Sequence, residues 1–156
     1  MAFSFSALSS LCRDFCKEID SATYQSELFL AQFHTEDRFG FTDAEQIKKT
    51  YLTPYATLIS SLLASLQRSD RLGTQLAAML ESTDTLEAVE YMERVELLWK
   101  AYEQYRSDLS DFLSTSNQHL SNKEILRTKG TAPLVMATRI LIASQTRAKE
   151  CFLQSI

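Results

Sequence analysis

Apolar residues return at steps of three or four between residues 4 and 34. This spacing places them on one face of an α-helix, which is the pattern of a helix that packs against a core. The sequence "LFLAQF" near the end of this segment is apolar on nearly all sides, so we expect that part to be enclosed. Gly40 can adopt a left-handed backbone conformation and is expected to terminate the segment. The predicted core face consists of Leu8, Cys12, Phe15, Ile19 and Ala22.

A second apolar stripe follows the sequence "TDAE", in which Thr42 and Glu45 have the spacing of a helix-capping box. Pro54 lies inside this segment and predicts a kink or a restart of the helix. Gly73 predicts a turn, followed by a short helix over "TQLAAMLE". The stripe consists of Ile47, Tyr51, Tyr55, Leu58, Leu62 and Leu66.

The second half of the chain predicts two further long helices. One begins at a cap formed by Asp84 and Glu87 and runs to Leu113. The other covers residues 131–154 and has a proline in its first turn, where proline is well tolerated. Residues 114–130 between them are expected to form a connector, with a short helix capped by Ser121 and Glu124 in "SNKE".

Turn-forming residues are scarce, with three glycines and two prolines in 156 residues. Folds rich in β-strands need such residues at frequent intervals, so the chain is expected to consist of few, long helices. The predicted fold is all-α, a single bundle of four long helices with one or two short ones. No linker or internal repeat is found, so residues 1–156 are expected to form one domain.

Residues 50–67, "TYLTPYATLISSLLASLQ", are the longest stretch without a charged side chain. The stretch has the length of a short membrane span, but serine, threonine and Pro54 interrupt it, so no integral membrane span is predicted. We expect instead a central helix of the bundle, contacted on all sides. Ala56, Ser60 and Ala64 are four residues apart and form a groove of small side chains. The helix that fills this groove belongs either to this chain or to a partner.

Charge and cysteine content narrow the class of protein further. The net charge of −4 gives no reason to expect nucleic-acid binding. Three cysteines, an odd number, favour a reducing compartment over a disulfide framework. The start, "MAFSFSALSSLC", has no basic residue before its apolar part, which argues against a secretory signal. The sequence therefore predicts a cytoplasmic protein, with delivery into another cell by a route without such a signal left open.

Residues that could carry catalysis or bind a metal are few. The two histidines, His34 and His119, do not occur in the Glu-x-x-His step of carboxylate-bridged metal sites. Cys12 and Cys16 have no matching pair of ligands nearby for zinc. The glycines are isolated, so no phosphate-binding loop is present. We predict no catalytic residue, no cofactor and no metal; the alternative is an enzymatic site assembled from distant parts of the chain.

The last helix carries a second apolar strip on the side away from its predicted core face, which consists of Leu134, Ala137, Ile140, Leu141, Ser144, Ala148, Cys151 and Phe152. Either another helix covers the second strip, or it is a surface for a partner helix or for a second copy of the chain. On the second interpretation, the protein is a non-enzymatic interaction module that works by helix–helix contacts. The predicted partner-binding residues are Val135, Arg139, Ile142, Lys149 and Leu153.

Two other functions stay open at this stage. The sequence "WKAYE", from Trp99 to Glu103, resembles the W-x-x-x-E motif of bacterial effectors that activate host Rho-family GTPases. The resemblance covers these five residues and implies an effector or inhibitor, in which Trp99 and Glu103 are structural and a separate loop engages the GTPase. The basic cluster of Lys123, Arg127 and Lys129 would suit peripheral contact with a membrane surface.

Overall fold

The computed structural model describes residues 5–40, 42–81 and 89–156. Over these residues the chain contains α-helices, one short 3₁₀ turn and no strand, so the all-α prediction is confirmed. The α-helices are α1 (Phe5–Ala31), α2 (Ala44–Glu81), α3 (Val89–Ser121), α4 (Lys123–Lys129) and α5 (Ala132–Leu153), and the 3₁₀ turn is Thr35–Asp37.

The helices α1 and α3 each pack against both α2 and α5. Neighbouring helices run in opposite directions, as contacts between the start of one and the end of the next show. Phe15 near the start of α1 stacks on Phe152 at the end of α5, with ring centroids 4.3 Å apart. Tyr55 in the first half of α2 shares a hydrogen bond with Ser116 near the end of α3, with the two hydroxyl oxygens 2.8 Å apart. Arg106 of α3 pairs with Asp70 in the second half of α2. The short α4 packs on α2 and α3.

The buried apolar side chains form two clusters that follow one another along the helices. The first contains Phe15, Leu98 and Phe152 and surrounds the start of α1. The second contains Tyr51 and Leu109, and it lies at the end of the molecule where α4 is found. Between the two clusters, several buried positions are occupied by polar side chains. The buried interior thus changes from apolar to polar and back to apolar along the helices.

A hydrogen-bonded junction closes the end of the molecule near α4. The Tyr51 hydroxyl donates to Asp37 Oδ2 at 2.6 Å and accepts from the His34 backbone N–H. The Thr131 N–H donates to the Asp37 carbonyl at 2.8 Å, which ties the start of α5 to the 3₁₀ turn. Gly130 has a φ of 58°, and a Cβ atom there would lie 2.1 Å from the Asp37 carbonyl oxygen. This junction therefore requires glycine at position 130.

The predicted turn at Gly73 is wrong, because α2 continues through this residue to Glu81. Gly73 is buried against α3, and a Cβ atom there would lie 2.6 Å from the ring of Tyr102. The glycine therefore makes room for an aromatic ring from the neighbouring helix, and it does not serve a turn. The helix also continues through Pro54 without the restart that the sequence allowed.

The starts and ends of several helices differ from the predictions. The first backbone hydrogen bond of α2 runs from the Ile47 N–H to the Asp43 carbonyl, so the capping box predicted at Thr42 is wrong. The hydroxyl of Thr42 donates to the Glu36 carbonyl. The helix α1 ends at Ala31, three residues before the predicted end. The predicted cap at residues 84–87 lies outside the described residues.

The connector predicted over residues 114–130 is mostly helical. Helix α3 continues to Ser121, because Ser116 and Leu120 are buried and extend its core face. Asn122 caps α4, its Oδ1 accepting hydrogen bonds from the backbone N–H groups of Glu124 and Ile125. The predicted cap, Ser121, donates to a carbonyl within α3 instead. The prediction of the last helix is confirmed, since α5 covers Ala132–Leu153.

Candidate interaction surface

The apolar strip predicted on the far side of α5 is not continuous in the structure. Val135 is buried, with 4 % of its surface exposed, and belongs to the second core cluster. Ile142 is half-buried, and Leu153 is 48 % exposed near the end of the helix. Burial of Val135 contradicts its assignment to a partner surface, because a buried side chain contacts nothing outside its own chain.

The two basic residues of that strip have different surroundings. The Lys149 Nζ pairs with Asp20 Oδ1 of α1 at 2.6 Å, and this hydrogen bond raises the pKa of the lysine. Arg139 is exposed. This side of α5 therefore faces α1 near Lys149, and Val135 is excluded from the predicted surface by its burial. Partner binding by Arg139, Ile142, Lys149 and Leu153 stays a prediction. Ile140, which was predicted to be core, is exposed together with Met136.

The prediction that residues 50–67 are contacted on all sides is also wrong. One side of this stretch is buried, with Tyr55, Leu58 and Leu62 in the second core cluster. The other side points to solvent, and its Leu52 and Leu63 are 50 % and 46 % exposed. We call this outward side the uncharged face; its exposed residues are Leu52, Thr53, Ala56, Thr57, Ser60, Leu63 and Gln67.

A groove between α1 and α2 borders the uncharged face. Its volume is about 290 Å³, and none of the residues that line it is charged. Pro54 lies in its wall, and because proline has no N–H, the carbonyl of Thr50 lacks the usual hydrogen bond within the helix. The lining residues are Gln25, Leu28, Phe29, Gln32, Thr53, Pro54, Thr57 and Leu58.

Helix α1 adds two exposed apolar side chains next to this groove, Tyr24 and Leu28. The segment "LFLAQF" was expected to be enclosed, but Leu28 and Ala31 are exposed, so that prediction is wrong. The sequence carries a signal for this exposure: residues 21–31 of α1 contain a single charged residue, Glu27. So few charged residues are unusual on a helix that faces water on one side.

Ion pairs with other helices are found at both ends of the uncharged face, and Lys48 and Lys49 also lie at one of these ends. At one end, the Arg68 Nε donates to both carboxylate oxygens of Glu18, each at 2.8 Å. At the other end, Lys123 of α4 pairs with Glu45 at the start of α2, which lowers the pKa of Glu45 and raises that of Lys123. The face between them is about 27 Å long, from the rise of a helix over residues 50–67. The side chains of this face can make apolar contacts and can form hydrogen bonds with uncharged polar groups.

Burial shifts the pKa values of two potentially reactive side chains elsewhere in the described residues. Burial raises the pKa of the Cys12 thiol to about 12, so the thiol stays protonated and weakly nucleophilic. Burial, with Lys129 nearby, lowers the pKa of His119. Over the residues that the structure describes, no cluster of histidine, cysteine or carboxylate side chains could hold a metal ion. No helix among these residues is long and apolar enough to cross a membrane.

The motif "WKAYE" lies on α3, whereas Lys123 of the basic cluster lies beside Leu52 at one end of the uncharged face. Trp99 is half-buried and packs on Tyr102, with ring centroids 5.4 Å apart. Glu103 is exposed. In the basic cluster, Arg127 pairs with Glu124 in addition to the pair of Lys123 described above. The GTPase and membrane hypotheses stay predictions, which nucleotide exchange on small GTPases and co-sedimentation with liposomes would test.

Comparisons with protein-family models, with curated proteins and with solved structures each found no match. The functional assignment therefore depends on the geometry and chemistry of the surface itself. The uncharged face and its groove differ from an ordinary solvent-facing helix in having no charged residue.

Proposed function

We propose that the protein is a non-enzymatic interaction module, a bundle of four long helices whose uncharged face binds a helix of another protein or of a second copy. The observation that carries this proposal is the outward side of α2. Over about five turns it has no charged side chain, while Leu52 and Leu63 are each about half exposed.

Two energetic terms favour contact at this surface. Covering a half-exposed leucine contributes on the order of 1 kcal/mol through the hydrophobic effect. Between residues 50 and 67 no charged group has to be removed from water when a partner covers the face, so the desolvation cost of charged groups is confined to its border, where Lys48 and Lys49 lie beside Leu52. The small side chains of Ala56 and Ser60 between the two leucines allow the backbone of a partner helix to approach closely.

The groove between α1 and α2 supports a protein partner more than a small-molecule cofactor. Its volume of about 290 Å³ lies at the lower limit of small-molecule pockets, and it suits one or two large side chains from a helix laid across it. The amide groups of Gln25 and Gln32 at its wall can hydrogen-bond with neutral polar groups of the partner. Such a groove would bind a partner helix through apolar side chains that the helix inserts into it.

The test compares two leucine-to-glutamate variants at exposed positions. Leu63→Glu places a charge on the uncharged face, and Leu97→Glu places one at a leucine on α3 that is 56 % exposed beside charged residues. We expect both variants to fold, as measured by circular dichroism and urea unfolding. Leu63→Glu is expected to weaken binding at least about tenfold, because covering its carboxylate without a partner costs more than about 1.4 kcal/mol.

Binding is measured in two ways, by light scattering over a range of concentrations and by capture of partners from the native source. A larger mass or a captured protein should be seen with the wild type and with Leu97→Glu, and lost with Leu63→Glu. If Leu63→Glu binds as the wild type does, or if both variants lose binding equally, the uncharged face is not the contact surface.

A further inference from the structure

A second uncharged stretch lies on α3, next to the uncharged face of α2. From residue 112 to residue 122 the sequence contains no carboxylate, lysine or arginine. The hydrogen bond between Tyr55 and Ser116 places this stretch level with the first half of α2. Small polar side chains recur at steps of three or four on its outward side, and we call them the small polar row. The row consists of the exposed residues Ser110, Ser114, Asn117 and Ser121.

The small polar row and the exposed leucines of α2 lie on the same side of the bundle. On the surface of this side, Arg106 of α3 pairs with Asp70 of α2. Leu63 lies two helical turns before Asp70, and Ser110 lies about one turn after Arg106, each on nearly the same side of its helix. Because the two helices are antiparallel, Leu63 and Ser110 are at about the same level. Large side chains on α2 therefore lie next to small ones on α3.

Both ends of this side carry an ion pair with the same arrangement of charge. At one end, Asp70 of α2 pairs with Arg106 of α3. At the other end, beside Leu52, Glu45 of α2 pairs with Lys123 at the start of α4. In each pair the acid belongs to α2, and the base belongs to α3 or to the helix that follows it.

We infer that a second copy of the chain covers this side, so that the leucines of α2 in each copy pack on the small polar row of the other. The inference rests on the function proposed above, because it names the partner of the uncharged face. The two copies are related by a two-fold axis parallel to the helices, which keeps each residue at its level and places α2 opposite α3 of the other copy. Leu63 of each copy then packs on Ser110 of the other, a large side chain on a small one.

The charges at the two ends favour this two-fold arrangement over the alternative one. With the axis along the helices, Glu45 and Asp70 of each copy face Lys123 and Arg106 of the other. With the axis across the helices, α2 would lie antiparallel on α2 of the other copy, and Glu45 would meet Asp70, acid against acid. Complementary charges of this kind select one orientation, and because the pairs are exposed they add little to the affinity.

The further charges at the Glu45 end are balanced on both surfaces. On the α2 surface, Lys48 and Lys49 lie together with Asp43 and Glu45. On the opposite surface, at the end of the small polar row, Lys123 and Glu124 line one depression. Neither surface therefore presents an excess of one sign where the two copies meet. The lysines at the border do not oppose the contact.

The area of this side is sufficient for a stable dimer. From Glu45 to Asp70 the helix α2 rises by about 37 Å, and two neighbouring helices are about 20 Å wide. The side thus covers roughly 700 Å² in each copy. Stable protein complexes bury about 800 Å² per partner.

The test places opposite charges on the two parts of the contact in the full chain. Leu63→Lys adds a base to the uncharged face, and Ser110→Glu adds an acid to the small polar row; both positions are exposed, so both variants should fold. Light scattering should show a dimer for the wild type and at least about tenfold weaker association for each variant alone. An equal mixture of the two variants should form a dimer again. One contact of the mixed dimer joins the new lysine to the new glutamate, and the other contact is unchanged.

Leu97→Glu is the matched control, because it adds an acid at an exposed position of α3 outside the small polar row. Tagged Leu63→Lys should capture Ser110→Glu more strongly than it captures Leu97→Glu. Equal capture would overturn the inference, and so would a mixture that stays monomeric or a Ser110→Glu protein that associates as the wild type does. A monomeric wild type would overturn the inference too, but the proposed function would stand if Leu63→Glu lost a captured partner. If the wild type is a dimer and neither Leu63→Glu nor Leu63→Lys weakens it, both are overturned.

Discussion

On the side of α5 that the sequence marks as a partner surface, Val135 is buried and Lys149 is paired with Asp20 of α1. On the outward side of α2, Leu52 and Leu63 are about half exposed, and no charged residue occurs from residue 50 to residue 67. Each helix packs against α1 and α3, and α2 has α4 as a further neighbour, so a lack of neighbours does not explain the exposure of α2.

The difference lies in where apolar residues fall relative to the two neighbouring helices. On α5 the strip is turned toward α1, and packing at that flank covers part of it, including Val135. On α2 the leucines lie beyond the reach of both neighbours, among small and hydroxyl side chains. An apolar strip opposite a core stripe is therefore weak evidence of a binding surface, whereas missing charge on an exposed side is stronger evidence.

The largest expected effect is on the free energy of unfolding, which should distinguish the predicted strip on α5 from the uncharged face of α2. Val135→Asp places a carboxylate in the second core cluster, and we expect it to lower the free energy of unfolding by about 3 kcal/mol or more. Leu63→Asp on the uncharged face is expected to change it by less than about 1 kcal/mol, because the carboxylate stays in water. Urea unfolding measures both values. Equal losses would mean that the outward side of α2 is as enclosed as the core.

The inner side of α2 provides the next comparison. Gly73→Ala is expected to destabilise the protein by about 1–3 kcal/mol, because the new methyl group would overlap the ring of Tyr102. In a helix exposed to water the same change would be stabilising by about 1 kcal/mol, since alanine favours helix over glycine. Gln75→Ala, at an exposed position two residues later, is the control and should have little effect. A more stable Gly73→Ala protein would contradict the close contact with α3.

A further expected effect is the dependence of the free energy of unfolding on pH. The buried tyrosines titrate at alkaline pH, whereas the uncharged face has no titrating side chain. Burial raises the pKa values of Tyr51, Tyr102 and Tyr105 to about 12, so the folded state holds their protons more tightly than the unfolded state, in which the pKa is about 10. Their contribution to stability is complete below about pH 10 and is lost as the pH rises to about 12. The Cys12 thiol, with a pKa of about 12, acts in the same direction.

Urea unfolding at a series of alkaline pH values measures this loss. Tyr105→Phe removes one of the titrating groups, so the variant should lose stability less steeply above about pH 10 than the wild type. Identical pH dependence in the variant and the wild type would show that Tyr105 does not contribute.

The smallest expected effect is that of salt on binding. A contact through the uncharged face involves no charge pair, so its affinity should change little between low and high salt. A contact through Arg139 and Lys149 of α5 would weaken as salt screens its charges. Light scattering or capture of the partner at both salt concentrations separates the two surfaces, and marked weakening at high salt would favour α5.

Much of the fold was predictable because the apolar spacing of each helix is regular. The last helix was predicted within two residues, since its apolar residues and the proline in its first turn are local signals. The turn predicted at Gly73 is wrong because the residues around a glycine do not distinguish a turn from a place where a neighbouring ring packs against the helix. Ser116 and Leu120 extend α3 into the predicted connector because they contact other helices, and such contacts have no signature in the residues nearby.

The candidate surface was predictable in part. The sequence singled out residues 50–67 by their lack of charge, and it placed Ala56 and Ser60 together on one side. Which side of the helix the bundle would cover depends on how α1 and α3 approach it, and this is set by contacts between residues far apart in the chain. For the same reason, Tyr24 and Leu28 could not be assigned to the surface from their spacing.

The sequence by itself determined the all-α class, the long helices and the absence of charge on one segment, because each follows from residues close together in the chain. The tertiary structure alone decided which apolar strip is buried, where Gly73 is needed and which polar side chains meet between the two core clusters. These depend on how whole helices are rotated and placed against one another, which the local spacing of residues leaves open until the helices pack together.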